Sequence, residues 1–287
     1  QPVFFMLMNL AGLVIYWLAA ILIDQGTLPL GQLVAFNDYL FHAMFSVMLF
    51  CTVFMLYPRA AVSARRIQAV LNTEGSIANP EGGVKIDDIQ SIHFDNVTFS
   101  FADSEEPALE HLDFEVRKGE TLAVIGSTGS GKSTLINLIP RFYDVTEGAV
   151  RIDGRDIREL DLFSLRERIG FVAQKANLFS GTIAENIRFG KEDASDEEVL
   201  RAAEIAQASD FILRKEHGFD ELITEGGTNL SGGQKQRISI ARALAEKPSV
   251  YVFDDSFSAL DFETESRLRR ELKGETKEAI TVIVADR

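Results

Sequence analysis

The chain is poor in cysteine, in basic charge and in internal repetition. A single cysteine, Cys51, in 287 residues excludes an intrachain disulfide. It lies in an apolar run, so cysteine usage leaves the redox compartment open. Basic residues are in deficit: 29 Lys and Arg stand against 43 Asp and Glu, a formal net charge of -14. That balance argues against nucleic acid as a partner, since such binders carry basic patches that neutralise phosphates. No sequence repeat shows. An initial Met is also missing: the chain opens at Gln1 and enters an apolar stretch at once. We expect a fragment of a longer chain, so the lack of a targeting signal carries no weight.

Long apolar runs, by contrast, are present. Val3 to Ile23 is almost wholly apolar, interrupted mainly by Asn9. A transmembrane helix needs about 20 such residues. Asp24 to Gly31 reads as a turn, and a second run extends from about Leu33 to Tyr57. Pro58-Arg59 and Arg65-Arg66 follow. Arginines just beyond a span mark the cytoplasmic side, which puts the Asp24–Gly31 turn outside. A buried soluble hairpin is the competing reading, and two back-to-back runs of this length are rare in soluble cores. Asp38 and His42 share one helix face of the second run. Ionisable residues in a span face a cavity or a partner helix, whereas near the outer end they also meet water or headgroups. Both readings stand.

Helical pattern continues from Ala60 to Leu71, then Asn72-Thr73-Glu74-Gly75-Ser76 and Asn79-Pro80-Glu81-Gly82-Gly83 break it. The expected organisation is a membrane part over residues 1–72, a linker over 73–90 and a globular domain over 91–287. Within the last, Ser91 to Phe101 alternates as a half-buried strand does. Further strands are predicted at Leu112–Val116, Leu122–Ile125, Val150–Ile152, Ile169–Ala173, Val250–Phe253 and Ile280–Ala285. Ser195-Asp196-Glu197-Glu198 reads as an N-cap with acidic first-turn residues.

The decisive local string is Gly126-Ser127-Thr128-Gly129-Ser130-Gly131-Lys132-Ser133-Thr134. It fits G-x-x-x-x-G-K-[ST] and sits between an apolar strand and a helical pattern, the context the motif requires. Glycines let successive backbone N–H groups turn inward as an anion nest at a helix N-terminus. Lys132 would then reach the β- and γ-phosphates, and the Ser133 hydroxyl would ligate Mg²⁺. At ordinary glycine frequency, chance produces such a string in roughly one chain in a hundred of this length.

A second string, Leu230-Ser231-Gly232-Gly233-Gln234, specifies five more positions. Together the two make the chain resemble the ATP-binding cassette of an ABC transporter, fused behind the last two helices of its membrane domain. That fusion, with Phe179-Ser180-Gly181-Thr182-Ile183-Ala184-Glu185-Asn186-Ile187, is similar to the exporter branch. The resemblance implies an α/β P-loop NTPase with a helical subdomain at about 175–247, preceded by two transmembrane α-helices. It implies ATP and Mg²⁺ as cofactors, and a dimer with a second half-transporter, because the signature acts on nucleotide held by the opposite cassette. Ser231, Gly232, Gly233 and Gln234 would serve that role. Phe101 matches the adenine-stacking aromatic, usually Tyr, although a strand Phe is as easily core. Gln174 matches the Q-loop glutamine that contacts Mg²⁺, and Asp254 the Walker B aspartate that holds it. Ser258-Ala259-Leu260-Asp261 matches the D-loop at the dimer interface.

Two positions depart from the family pattern. Asp255 stands where a Glu usually polarises the attacking water, and Asp286 where a switch His contacts the γ-phosphate. Asp is one methylene shorter than Glu, and a displacement of roughly 1 Å can cost about 10²-fold in rate. An Asp near the γ-phosphate repels it, by about 4 kcal/mol at 4 Å and an effective dielectric of 20. We therefore expect a site that binds ATP and hydrolyses it poorly, in one half of a heterodimeric exporter whose intact signature completes the partner's site. A slow homodimer using Asp255 as a weak base, a soluble ABC-type ATPase and a regulatory subunit that only binds nucleotide are the alternatives. The expected location is the plasma (inner) membrane, with the cassette cytoplasmic and lipids as neighbours.

Overall fold

A computed structural model describes residues 2–73, 75–104 and 106–285. The chain divides into two compact units, residues 1–75 and 76–287.

The first unit is a helix pair, α1 (Pro2–Asp24) and α2 (Leu30–Leu71). Gly26, at φ 72, ends α1 in the left-handed conformation that glycine adopts freely. Thr27 then returns both its N–H and its hydroxyl to the Leu22 carbonyl, at 3.0 and 2.9 Å. Both helices are long and apolar enough to cross a membrane, each containing an 18-residue window whose mean hydropathy is 2.2 in α1 and 1.9 in α2. No described side chain of α2 is buried, and a helix apolar on all sides seeks lipid or other membrane helices. The second run and the helical stretch after it are one element: α2 passes through Pro58 without ending. Its 42 residues make it about 63 Å long at 1.5 Å per residue, against a hydrocarbon core of about 30 Å. The part beyond Tyr57, with Arg59, Arg65 and Arg66, therefore extends past the bilayer core.

Among its described residues the second unit holds two four-stranded sheets and a small two-stranded one. Its elements are β1 (Ser91–Phe99), β2 (Leu109–Arg117), β3 (Thr121–Ile125), α3 (Lys132–Leu138), β4 (Glu147–Ile152) and β5 (Arg155–Asp156). There follow α4 (Leu162–Arg166), β6 (Ile169–Val172), β7 (Gly181–Thr182), α5 (Ile183–Arg188), α6 (Asp196–Ile205), α7 (Ser209–Ile212) and β8 (Leu222–Ile223). The chain then runs through α8 (Gly232–Glu246), β9 (Val250–Asp254), α9 (Phe262–Glu275) and β10 (Ile280–Ala285). An antiparallel sheet has the order β2-β1-β4-β5, and a parallel one the order β3-β10-β9-β6. One apolar core joins them: Phe94 and Ile152 from the first, Leu135, Ile136 and Leu138 from α3, and Val252 and Val282 from the second. A second core gathers the helical part, with Ile187 (α5), Ala203 (α6) and Ile238 and Ala241 (α8) against Tyr251 and Phe253. Alternate residues of β9 thus serve opposite cores, which explains its uninterrupted apolar run.

Capping boxes open three helices of this part: Thr182 with Glu185 at α5, Ser195 with Glu198 at α6, and Ser231 with Gln234 at α8. The stretch before β1 is tied to the second unit over its latter half. Asn79 donates to Asp161 Oδ2 at 2.8 Å and accepts from Leu162 N at 2.7 Å. Val84 exchanges backbone bonds with Glu159 and Asp161, and Ile89 is fully buried. Residues 79–90, expected as linker, therefore lie against the globular unit as a strap.

Candidate active site

The carboxyl ends of parallel strands are where ligands bind in open α/β sheets, and the candidate residues converge on that edge. β3 runs straight into the Gly126–Thr134 loop, β9 ends at Asp254, and Gln174 lies just past the end of β6. β10 stands between β3 and β9, with Val284 opposite both Val124 and Asp254. A cavity of about 390 Å³ opens there, lined by Phe101, Thr128, Gly129, Gly131, Lys132, Ser133, Thr134, Gln174, Asp254 and Asp255 among others.

The loop is shaped by glycine where nothing else fits. Gly129 and Gly131 have φ of 84 and 85. A Cβ on Gly131 would stand 2.8 Å from the Ala108 carbonyl oxygen, and one on Gly126 2.6 Å from Ser130 Oγ. Gly131 is the N-cap of α3, so the loop's N–H groups lead into a helix N-terminus. Lys132 is 9 % exposed, and its Nζ donates to the Gly126 and Ser127 carbonyls at 2.9 and 2.8 Å. The ammonium thus lies inside the loop that it would share with a phosphate.

Ser133 Oγ donates to Asp254 Oδ1 at 3.1 Å. A hydroxyl and a carboxylate side by side are the hard oxygen donors that suit Mg²⁺, which takes only one or two carboxylates when phosphates supply the rest. Among the described residues no cluster of three His, Cys, Asp or Glu side chains forms a self-sufficient metal site. The glycine cradle, the lysine and this donor pair fit a Mg²⁺-bound nucleotide. Gln174 Nε2 donates to Asp255 Oδ2 at 3.2 Å. Asp255 has φ 44 and gives its N–H to the Val284 carbonyl at 3.2 Å. Phe101 is 42 % exposed, packs edge-on to Phe99 and Tyr143, and lines the cavity with one side free. It lies beyond the end of β1 rather than within it.

Ser231, Gly232, Gly233 and Gln234 do not line this cavity. Ser231 Oγ accepts from Gln234 N at 3.3 Å, and Gln234 Oε1 accepts from Ser231 N at 3.0 Å, a local arrangement at the start of α8. An added Cβ on Gly232 would have no described atom within 4 Å. The segment 258–261 leads into α9, whose N-cap is Asp261. The Thr264 N–H donates to its Oδ1 at 2.9 Å and, with the Thr264 side chain, holds the Asp261 carboxyl below its usual range. Asp286 lies outside the described residues. Pro107, Ala108 and Val284 also line the cavity. No sequence signal marks them, because their place depends on how β2 and β10 pass the loop.

Comparison with known proteins follows the same outline. A family model described as "ABC transporter" matches residues 109–258. An uncharacterized ABC transporter ATP-binding protein of Bacillus subtilis, YfiB, is 42 % identical over 93 % of this chain and 47 % of its own length. A Staphylococcus aureus protein, provisionally named as a multidrug export ATP-binding/permease protein, is 40 % identical over 97 % of this chain and 48 % of its own. The solved structure of a bacterial Atm1-family ABC exporter with ATP bound matches with a TM-score of 0.82 at 34 % identity, covering 99 % of this chain and 50 % of that one. The chain spans about half the length of the curated relatives it matches.

Proposed function

The chain belongs to the ABC transporter family, and on that premise we propose that it is the ATP-binding part of an exporter half-transporter, with two helices of its membrane domain. It works as a dimer in the plasma (inner) membrane, the cassette on the cytoplasmic side. The observation that carries the reading is the convergence of Lys132, Ser133, Gln174 and Asp254 on one cavity at the carboxyl edge of the parallel sheet. The two apolar helices and the likeness to an exporter of known structure support the membrane assignment.

In this reading the loop amides and Lys132 bind the phosphates, Phe101 stacks on the base, and Ser133 and Asp254 hold the metal. Mg²⁺, when bound, neutralises charge on the β- and γ-oxygens. Asp255 would orient the attacking water, but it is the shorter acid and shares its carboxylate with Gln174. A set-back of roughly 1 Å is enough to cost about 10²-fold. The sequence adds Asp286, a second departure. We infer that this chain's own site holds ATP and hydrolyses it slowly. Its Ser231–Gln234 signature completes the competent site of a different half-transporter.

A homodimer that hydrolyses slowly through Asp255 is the second reading, favoured by the direct access of that carboxylate to the cavity. Single-turnover hydrolysis at this site, with the partner's catalytic Glu disabled, separates the two. The heterodimer predicts that Asp255→Glu combined with Asp286→His raises the rate, and that Asp255→Asn changes overall turnover only a few-fold. Loss of a working general base costs about 10²–10⁴-fold, and a loss of that size from Asp255→Asn selects the homodimer.

A further inference from the structure

The strand end that carries Gln174 is held from two sides by buried side chains that touch no part of the cavity. Gln236, in the second turn of α8, is 2 % exposed and donates from Nε2 to the Ala173 carbonyl at 3.1 Å. Ser256, directly after Asp255, is 1 % exposed and donates from Oγ to the Val172 carbonyl at 2.9 Å. Two consecutive carbonyls at the end of β6 thus receive one bond from the helix that opens with the signature and one from the segment leaving β9. Gln174 is the next residue, and it bonds Asp255. Where α8 begins, Gly233 lies so close to the chain after β9 that an added Cβ would stand 2.9 Å from the Ala259 carbonyl. The groups that face this chain's own nucleotide and the signature it lends are therefore parts of one packed, hydrogen-bonded assembly.

Burying an amide costs desolvation that an apolar side chain of the same volume avoids. What the amide adds is direction: it ties α8 to a particular carbonyl. We propose that Gln236 is a positioning residue that transmits the occupancy of this chain's own pocket to the signature it presents across the dimer, with Ser256 as its counterpart on the β9 side. The proposal rests on the reading that Ser231–Gln234 acts on the partner's nucleotide. A nucleotide that draws Gln174 off Asp255 displaces the Ala173 carbonyl, and the Gln236 amide carries that displacement to the start of α8. Partner-site turnover then depends on whether this chain's pocket is filled.

Lying between two sites is not evidence of coupling, so the test is a mutant cycle. It uses the full-length transporter with its partner in lipid vesicles, and steady-state ATP hydrolysis as the readout. Gln236→Met keeps the volume and removes the donor, and Gln174→Ala removes the group it acts through. Each single change is expected to lower kcat by about 3–10-fold with KM for ATP within about two-fold, and the double variant to be no slower than the slower single within about two-fold. ATP binding by this chain's own loop is expected to stay within about two-fold of the parent in Gln236→Met. Losses that multiply in the double variant overturn the proposal and leave Gln236 as packing only. If Gln236→Met does not assemble, Ser256→Ala takes its place in the same cycle, with the same two outcomes. A Gln174→Ala variant with unchanged turnover removes the reading of the site, and this proposal with it.

Discussion

Two glycines in one loop share a backbone conformation and differ in what surrounds them. Gly129 and Gly131 both sit near φ 85, so alanine at either is strained by about 1 kcal/mol or more. Only at Gly131 would the new Cβ also meet the Ala108 carbonyl; at Gly129 no described atom lies within 4 Å. Gly131→Ala is therefore expected to weaken ATP binding clearly more than Gly129→Ala, as read by nucleotide titration of the purified transporter. Equal losses would mean that the approach to Ala108 is not limiting. Lys132→Ala removes the positive charge within the loop and is expected to lower ATP affinity about ten-fold or more. A surface change such as Lys85→Ala is the control. These residues were legible in the sequence because the motif needs only its chain neighbours. Gln174 against Asp255 was not, since the two are far apart in the chain and meet only across the sheet edge.

At the scale of elements, the chain from Phe179 to Thr182 is held against α5 by one buried amide of that helix. Asn186, 2 % exposed, donates to the Phe179 and Thr182 carbonyls and accepts from Phe179 N and from Arg242. Asn186→Ala strands the Phe179 backbone and an arginine donor. It is expected to destabilise the globular unit by about 2–3 kcal/mol, read as a lower denaturation midpoint. The start of α8 separates stability from function in another way. Ser231→Ala removes an N-cap at a cost of about 1 kcal/mol. Ser231→Arg is expected to abolish most ATPase activity of the assembled transporter while this chain's own ATP binding stays intact. Hydrolysis that survives Ser231→Arg would count against a signature acting in trans. Element existence was well marked by apolar runs and by Ser195; element ends were less so. The strand expected to reach Phe101 stops at Phe99, because alternation continues in sequence after the pairing partner has turned away.

For the whole molecule, two carboxyl groups give stability opposite dependences on pH. Burial pushes Glu246 up to about 7, with the Glu167 carboxylate adding to the rise and Arg168 opposing it. Its unfolded value is near 4.5, so between these limits the folded state keeps a proton that the unfolded state releases. Stability from this group falls as pH rises through that window. Glu246→Gln is expected to raise the melting temperature at pH 8 by a few degrees, roughly 2–4 °C per kcal/mol, and to leave it unchanged at pH 4. Asp88 behaves in the other sense. Hydrogen bonds from Lys118 at 2.7 Å and Ser249 at 2.6 Å hold it down to about 2, from 3.8. Its contribution is present above pH 3.8 and is lost as pH falls toward 2. The group is largely exposed, so solvent screening keeps that contribution small. Its importance is geometric, since it pins the strap before β1 to the start of the parallel sheet and to the turn before β9.

The sequence by itself determined what depends on local geometry or on length alone. Two apolar runs long enough for a bilayer, a glycine loop before a helix, a serine that caps α8 and an acidic pair after a buried strand are all properties of contiguous residues. Tertiary structure decided which of the apolar strands are neighbours, and that choice makes the site. Any Val- and Ile-rich strand pairs acceptably with any other, so nothing in β10 announces that it inserts between β3 and β9. Only with that order and register do Ser133 and Asp254 come within 3.1 Å. The fate of Pro58 was decided in the same way. A proline removes one backbone donor and crowds one carbonyl, an effect that a long helix can absorb, and α2 continues past it to Leu71.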